Sequence, residues 1–314
     1  MTPSAVPAAQ RLEGIHHITA ITADAPRNVD FYVRVLGLRL VKKTVNFDSP
    51  DVYHLYYGDE GARPGSILTF FEFPGAAVGR AGAGMVHRIV WRVAGEQALD
   101  FWEQRLSAEG VDARREAGSL RFADPEGLEL ELVVAGNAED PLAGLAPDIP
   151  SEHSLLGLEG ARAYAAEPAR SEPLLSTTLG FEAHDAARWG VAGTQRTSSW
   201  RYDQPPDEPG RQGAGTVHHI AWASRDQDHA DWRARVAQAG ARVTEIIDRQ
   251  YFRSIYFREP SGVLFEIATL GPGFTVDESA EALGERLMLP PQYEARRAQL
   301  ERSLTPLSNP RAPE

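Results

Sequence analysis

The strongest constraint on the fold of this chain is an internal repeat, which returns four times along its 314 residues. Residues 82–89 read Gly-Ala-Gly-Met-Val-His-Arg-Ile, and residues 213–220 read Gly-Ala-Gly-Thr-Val-His-His-Ile. A helical segment follows each copy, and a Pro- and Gly-containing turn then leads to a last strand that ends in Glu131 or Glu266. A repeated unit of this size with its own helix predicts packed modules rather than a thin solenoid.

The four units start at residues 16, 87, 153 and 218, so their separations are 71, 66 and 65 residues. Each unit reads as one strand, one helix and three strands, or βαβββ. An amphipathic helix that covers one face of a small sheet predicts an α+β fold, here with four modules in two half-barrel-type domains. We expect a first domain over residues 12–140 and a second over 150–272. A helical C-terminal tail over 273–314 is expected to pack on the last module.

The composition limits both the partners and the chemistry. A formal net charge of −12 argues against nucleic-acid and anionic-membrane partners, because both need a basic face. The absence of cysteine excludes disulfides and thiolate ligands, so any metal must be held by His, Asp, Glu or water. No signal peptide or membrane span is visible, which predicts a cytoplasmic protein. The sequence does not fix the oligomeric state and is compatible with a homo-oligomer.

The tripeptide His-His-Ile occurs twice, beginning at His16 and at His218. Two histidines and one carboxylate form the ligand set of an open-sided non-haem iron site, and Glu266 supplies a carboxylate after the second copy. Side chains alternate along a strand, so we expect the two imidazoles of each pair to point to opposite faces of the sheet. His17 and His219 are then the expected metal ligands.

The other two units act as an internal control on this prediction. Where the first and fourth units carry the second histidine, the middle units carry Arg88 and Ser154. A guanidinium has no lone pair to give to a cation. The middle units therefore predict a degenerate counterpart of the metal site, in which Arg88 pairs with Glu131.

These motifs resemble the vicinal oxygen chelate superfamily, which includes glyoxalase I, bleomycin-resistance proteins and extradiol dioxygenases. The similarity runs from His16 to about Leu270. Residues 255–266, Ile-Tyr-Phe-Arg-Glu-Pro-Ser-Gly-Val-Leu-Phe-Glu, resemble the ring-cleavage signature of extradiol enzymes. Catechol-cleaving members carry a histidine several residues before the tyrosine, whereas this chain has Arg249 in that stretch.

The arginine makes the chain similar to a narrower branch, the hydroquinone ring-cleaving dioxygenases. The resemblance implies an aromatic substrate, O2 and Fe(II), with Mn(II) or Zn(II) as alternatives in a purified sample. The implied ligands are His17, His219 and Glu266. The implied catalytic residues are His16, Arg249 and Tyr256, and the implied pocket or supporting residues are His218 and Tyr251.

Two other functions stay open at this point. A glyoxalase-type isomerase or lyase would typically add a second carboxylate ligand, and Glu72 lies near the end of the last strand of the first module. Aligning Ser66 with Gly262 puts Phe70 at the position of Glu266, which favours three protein ligands. A metal-free binding or resistance protein of the same superfamily would lack a complete ligand set.

Overall fold

A computed structural model describes residues 10–116, 118–136 and 139–311. Its strands are β1 (Ile15–Thr22), β2 (Arg39–Asn46), β3 (Ser49–Gly58), β4 (Ile67–Glu72), β5 (Val86–Val93), β6 (Arg114–Glu116), β7 (Ser119–Ala123), β8 (Glu129–Val134), β9 (Leu158–Tyr164), β10 (Glu182–Asp185), β11 (Arg188–Ala192), β12 (Thr197–Asp203), β13 (Thr216–Ser224), β14 (Ile247–Asp248), β15 (Phe252–Arg258) and β16 (Leu264–Pro272).

The α-helices are α1 (Ala25–Val29), α2 (Glu96–Ala108), α3 (His229–Gln238) and α4 (Arg297–Ser303). Two helical segments have π geometry, Asp30–Val35 and Pro173–Thr178. Short 3-10 turns lie at Ser151–His153, Pro168–Arg170, Asp226–Asp228, Phe274–Val276 and Pro291–Arg296. Of the helices in the described ranges, none is long and apolar enough to cross a membrane.

The strands form two eight-stranded sheets that confirm the α+β repeat. The first sheet has the order β14-β15-β16-β13-β1-β4-β3-β2, and the second has the order β10-β11-β12-β9-β5-β8-β7-β6. Each sheet is two βαβββ modules joined through their first strands, β1 with β13 and β5 with β9. The first module therefore pairs with the fourth and the second with the third. The division into domains over residues 12–140 and 150–272 stays a prediction, and each sheet takes strands from both ranges.

The predicted start of the third module at His153 is wrong. His153 lies in a 3-10 turn, and the first strand of this module begins at Leu158. The apolar run after His153 ends at Gly157, whose φ of +97° is a left-handed conformation that cannot continue a strand. The residue equivalent to His17 is consequently Gly160 and not Ser154, as the strand register below demonstrates.

The core lies between the two sheets, on the face of each sheet that is opposite to its concave face. The Trp200 ring of the second sheet contacts Phe265 and Trp222 of the first, with ring centroids 5.1 and 6.0 Å apart. Trp102 of α2 and Trp232 of α3 are fully buried. Side-chain alternation leaves the other face of each sheet open for polar residues.

The C-terminal tail packs on the last module, where Tyr251 donates a hydrogen bond to Asp277, and also on the first module, which the sequence did not predict. The fully buried ammonium of Lys42 on β2 contacts Asp277 Oδ1 at 2.6 Å and also reaches Glu278. The backbone N–H of Met288 donates to the Lys43 carbonyl oxygen. Burial of the Lys42 charge would be costly without a partner, and the tail carboxylates supply one. This ion pair fixes the position of the tail on β2.

Candidate metal centre

Two β-bulges place both histidine pairs at the junction of β1 and β13. The register between these strands is Ile15–Trp222, His17–Ala221, Thr19–His219 and Ala20–Val217. His16 is thus an extra residue in β1, and His218 is an extra residue in β13. The expectation that adjacent imidazoles point to opposite faces is therefore wrong, because a bulge re-aims its side chain. Nδ1 of His16 lies 2.9 Å from Nδ1 of His17, and the same atoms of His218 and His219 lie 2.7 Å apart.

The structure brings the three predicted ligands together. β16 lies parallel to β13, and its Glu266 pairs with Ala221, two residues after His219. Glu266 Oε2 lies 3.3 Å from His17 Nε2 and 2.9 Å from His219 Nε2, and the two Nε2 atoms are 3.4 Å apart. All three side chains are buried, and their ligand atoms lie within 4.8 Å of one another.

The chemistry of these donor atoms fits a divalent cation. Burial raises the pKa of Glu266, but the neighbouring His17 and His219 outweigh it and hold that pKa well below its usual range. Ser254 donates a hydrogen bond to Glu266 Oε1, whereas Oε2 receives no hydrogen bond from the described residues. When each ligand histidine donates its Nδ1 hydrogen to its neighbour, both Nε2 lone pairs face this oxygen. Three buried lone-pair atoms without hydrogens between them suit a metal ion with nitrogen and oxygen ligands.

A cavity of about 590 Å³ opens beside these ligands. Its walls include the aromatic side chains of Phe47, Phe71, Phe73 and Phe252. Its polar lining includes His17, His54, Tyr56, Gln212, His218, His219, Arg249 and Tyr256. Aromatic walls with a few convergent polar groups are typical of a small-molecule site.

The predicted residues Arg249 and Tyr256 form a pair in this cavity. Arg249 Nε donates to Tyr256 Oη at 3.2 Å, and its guanidinium carbon lies 5.4 Å from the tyrosine ring centroid. A second bond runs from Arg249 Nη1 to Asp48 at 3.0 Å. Burial raises the pKa of Tyr256, which therefore keeps its hydroxyl hydrogen at neutral pH.

Two predicted site residues lie outside the cavity lining. His16 sits behind His17, where burial lowers its pKa to about 3 and keeps the ring neutral. Tyr251 is fully buried, donates its hydroxyl hydrogen to Asp277 and stacks on Phe274. His218, in contrast, lines the cavity. Because His16 contacts His17 and does not line the cavity, its position suits a residue that orients a metal ligand. It does not suit a residue that contacts the substrate.

Glu72 lies on the opposite face of the sheet from the metal ligands. In β4 the residues that share the face of His17 are Ile67, Thr69 and Phe71. Glu72 instead accepts hydrogen bonds from the Ala25 N–H and the Thr305 hydroxyl. The strand register puts Thr69, and not Phe70, at the position equivalent to Glu266.

His54 and Tyr56 line the cavity from β3 and were missed by the sequence reasoning. The signal available was their spacing, since two polar rings at i and i+2 of a strand share one face. The repeat offered a second signal for Tyr56, because Tyr56 pairs with Thr69 as the predicted Tyr256 pairs with Glu266.

The second sheet repeats the bulged pairing with different side chains. In the pairing of β5 with β9 the extra residues are His87 and Glu159. This register aligns Arg88 with His219, Gly160 with His17 and Glu131 with Glu266. Arg88 Nη1 lies 3.3 Å from Glu131 Oε2, which confirms the predicted pair. In the part of the chain that the structure describes, only the first sheet forms a cluster of three ligand residues.

Comparison with known proteins agrees with this fold. Residues 14–132 and 159–267 match the Glyoxalase/Bleomycin resistance protein/Dioxygenase superfamily, and the chain belongs to this superfamily. The chain is 43% identical to a Bacillus subtilis (strain 168) protein named "Putative ring-cleaving dioxygenase MhqO", over 95% of this chain and 97% of that protein.

Two further relatives extend the comparison. The chain is 33% identical to the chlorohydroquinone/hydroquinone 1,2-dioxygenase of Sphingobium indicum, over 94% of this chain and 97% of the enzyme. A crystal structure of a "putative dioxygenase" from Bacillus subtilis subsp. subtilis str. 168 superimposes with a TM-score of 0.88 at 40% identity. It covers 96% of this chain and 99% of that one.

Proposed function

We propose that the protein is an Fe(II)-dependent ring-cleaving dioxygenase that uses O2 to open hydroquinone-type aromatic rings. The observation that carries this proposal is the buried cluster of His17, His219 and Glu266 at the edge of an aromatic-lined cavity. The names of relatives that are 33–43% identical over nearly the whole chain support the same reaction class.

His17, His219 and Glu266 would hold the metal by one nitrogen or oxygen each. With two histidines and one carboxylate as ligands, the site would leave coordination positions free, and a ferrous ion there would supply Lewis-acid and redox chemistry for a phenol and O2. The protein supplies an anionic ligand in Glu266, whose charge the two neutral imidazoles do not cancel.

His16 and His218 would orient the two ligand imidazoles. Each lies within hydrogen-bond distance of Nδ1 of the neighbouring ligand and would accept its hydrogen, which would direct the Nε2 lone pair of that ligand to the metal position. The resemblance implied a catalytic role for His16, but its position behind His17 favours this orienting role.

Arg249 and Tyr256 would act on the substrate. The guanidinium of Arg249 is a fixed positive charge in a low-dielectric cavity, where it stabilises an oxygen that becomes anionic during the reaction. Arg249 also donates to Tyr256 Oη, which leaves the tyrosine hydrogen available to an oxygen in the cavity. The aromatic walls would exclude water from the reacting atoms.

Oxygen uptake by Fe(II)-loaded protein tests this proposal. We expect hydroquinone to consume O2 in a one-to-one ratio and to yield a ring-opened product by mass spectrometry, faster than catechol does. Protein loaded with Zn(II) is the control and should consume none. Turnover of a glutathione hemithioacetal without O2 would instead identify a glyoxalase-type isomerase. Purified protein that binds no iron, manganese or zinc would indicate a binding protein.

A further inference from the structure

The cavity wall on β3 carries a hydrogen-bonded chain that the proposed reaction does not use. His54 and Tyr56 project from the same face of this strand, and their ring centroids lie 4.1 Å apart. His54 Nε2 lies 2.8 Å from Thr69 Oγ1, and His54 Nδ1 lies 2.8 Å from the Tyr56 hydroxyl. Thr69 in turn donates to Thr19 Oγ1 at 2.9 Å.

The strand register places the Tyr56 end of this chain beyond β1 and β4, as seen from the metal ligand His219 on β13. His219 pairs with Thr19, Thr19 with Thr69 and Thr69 with Tyr56, so these four residues form one cross-strand row. Neighbouring strands lie about 4.8 Å apart, which puts β3 roughly 10 Å from β1. The cavity of about 590 Å³ is lined by Tyr56 as well as by the metal ligands His17 and His219, and it is large enough for an aromatic ring.

All hydrogen bonds in this hydrogen-bonded chain are donated in one direction, away from the cavity. Because the Thr69 hydroxyl gives its hydrogen to Thr19, its oxygen accepts from His54 Nε2. Burial lowers the pKa of His54 well below its usual range, so the imidazole is neutral and carries one hydrogen. His54 Nδ1 must then accept, and its donor is the Tyr56 hydroxyl.

The Tyr56 oxygen therefore presents lone pairs, and no hydrogen, to the cavity. Within residues 10–116, 118–136 and 139–311 no group donates a hydrogen bond to this oxygen. Tyr256 has the opposite character, since its oxygen accepts from Arg249 and its hydrogen stays available. The cavity thus has one tyrosine that donates and one that accepts.

We propose that Tyr56, held by His54, determines specificity by accepting a hydrogen bond from the second hydroxyl of a para-dihydroxylated ring. The first ring oxygen would face the metal ligands, and the second would reach the opposite wall. The inference rests on the proposed function and narrows it to rings with a hydroxyl remote from the metal. The adjacent oxygens of a catechol both stay at the metal end, which would leave the buried Tyr56 oxygen without a partner.

The test compares hydroquinone with 4-methoxyphenol, whose para oxygen has no hydrogen to donate. Binding of each to the Fe(II)-loaded protein is measured without oxygen by titration calorimetry. We expect the wild type to prefer hydroquinone by about tenfold, the scale of one neutral hydrogen bond. Tyr56→Phe should reduce this preference to near unity. Tyr57→Phe is the matched control, because its hydroxyl bonds Asn28 on the other face of the strand, and it should keep the preference.

A second variant separates recognition from a purely structural effect. His54→Leu removes the acceptor of the Tyr56 hydrogen, so Tyr56 becomes a donor and 4-methoxyphenol should gain affinity relative to hydroquinone. A preference that is unchanged in both Tyr56→Phe and His54→Leu would overturn the assignment. If the wild type binds hydroquinone preferentially but consumes no oxygen, the proposed reaction alone is overturned.

Discussion

The two sheets have the same strand order and the same bulged register, yet their concave faces carry different chemistry. Both place a buried glutamate at the same position, Glu266 in the first sheet and Glu131 in the second. The first sheet surrounds its glutamate with the imidazoles of His17 and His219. The second puts the guanidinium of Arg88 where His219 stands in the first.

The comparison indicates that a buried carboxylate needs a positive partner and that the fold can supply it in two ways. Burial raises the pKa of Glu131, but three arginines outweigh this effect and lower the pKa overall. Arg162, Arg88 and Arg121 lie 3.2, 3.3 and 3.5 Å from its carboxylate oxygens. The second sheet thus neutralises its glutamate internally, whereas Glu266 keeps an oxygen that no described residue bonds. We infer that the first sheet leaves this role to a metal ion.

The largest expected effect comes from removing each glutamate charge in turn. Glu266→Gln should raise the dissociation constant for Fe(II) by more than about a hundredfold, because it removes the one anionic ligand. Metal analysis after anaerobic loading and desalting measures this loss. Glu131→Gln is the matched variant in the second sheet and should leave the metal content unchanged.

The same pair of variants gives a second readout in stability. Glu131→Gln should lower the free energy of unfolding by about 2 kcal/mol, since three arginines lose a shared counter-charge that is only partly screened by solvent. Equal metal loss in both variants would contradict the separation of the two sheets. Full iron occupancy in Glu266→Gln would remove this residue from the ligand set.

A smaller effect is expected from Arg249, the cation of the first cavity. Arg249→Ala should lower turnover by about a hundredfold, close to 2.7 kcal/mol, while the metal content stays constant. Arg253→Ala provides the control, because this exposed arginine lies on the neighbouring strand β15, and its rate should equal that of the wild type. Rates come from oxygen uptake at saturating substrate. An unchanged rate in Arg249→Ala would exclude the guanidinium from the reaction.

The sequence predicted the features that depend on repeat position and residue type. The βαβββ order, the convergence of His17, His219 and Glu266, and the Arg88–Glu131 pair all follow from aligning like segments. The errors arise where local geometry overrides periodicity. A bulge turns His16 towards His17, and the left-handed Gly157 delays the strand that the apolar run after His153 suggests.

Contacts between residues that are distant in sequence could not be predicted from the repeat, for a different reason. The hydrogen-bonded chain from Tyr56 to Thr19 joins three strands, and its members are ordinary residues until the register aligns them. The docking of the tail on Lys42 likewise depends on a charge whose burial the sequence does not reveal. The repeat identifies equivalent positions within modules, but it carries no information on contacts that occur once.

The smallest expected effect concerns Gly160, which stands in the second sheet where His17 stands in the first. A Cβ at Gly160 would overlap with Oγ and the carbonyl oxygen of Ser199 on the paired strand β12. Because backbone cannot move aside cheaply, Gly160→Ala should lower the free energy of unfolding by about 1–3 kcal/mol in urea titrations. At Gly190 the Cβ would meet His184 Nε2 at 2.7 Å, the tip of an exposed side chain that can rotate away. Gly190→Ala is therefore the control and should change stability by less than about 0.5 kcal/mol. If Gly160→Ala left the free energy of unfolding unchanged, a side chain would fit at this position. Lack of space would then not explain why the second sheet has no histidine where His17 stands in the first.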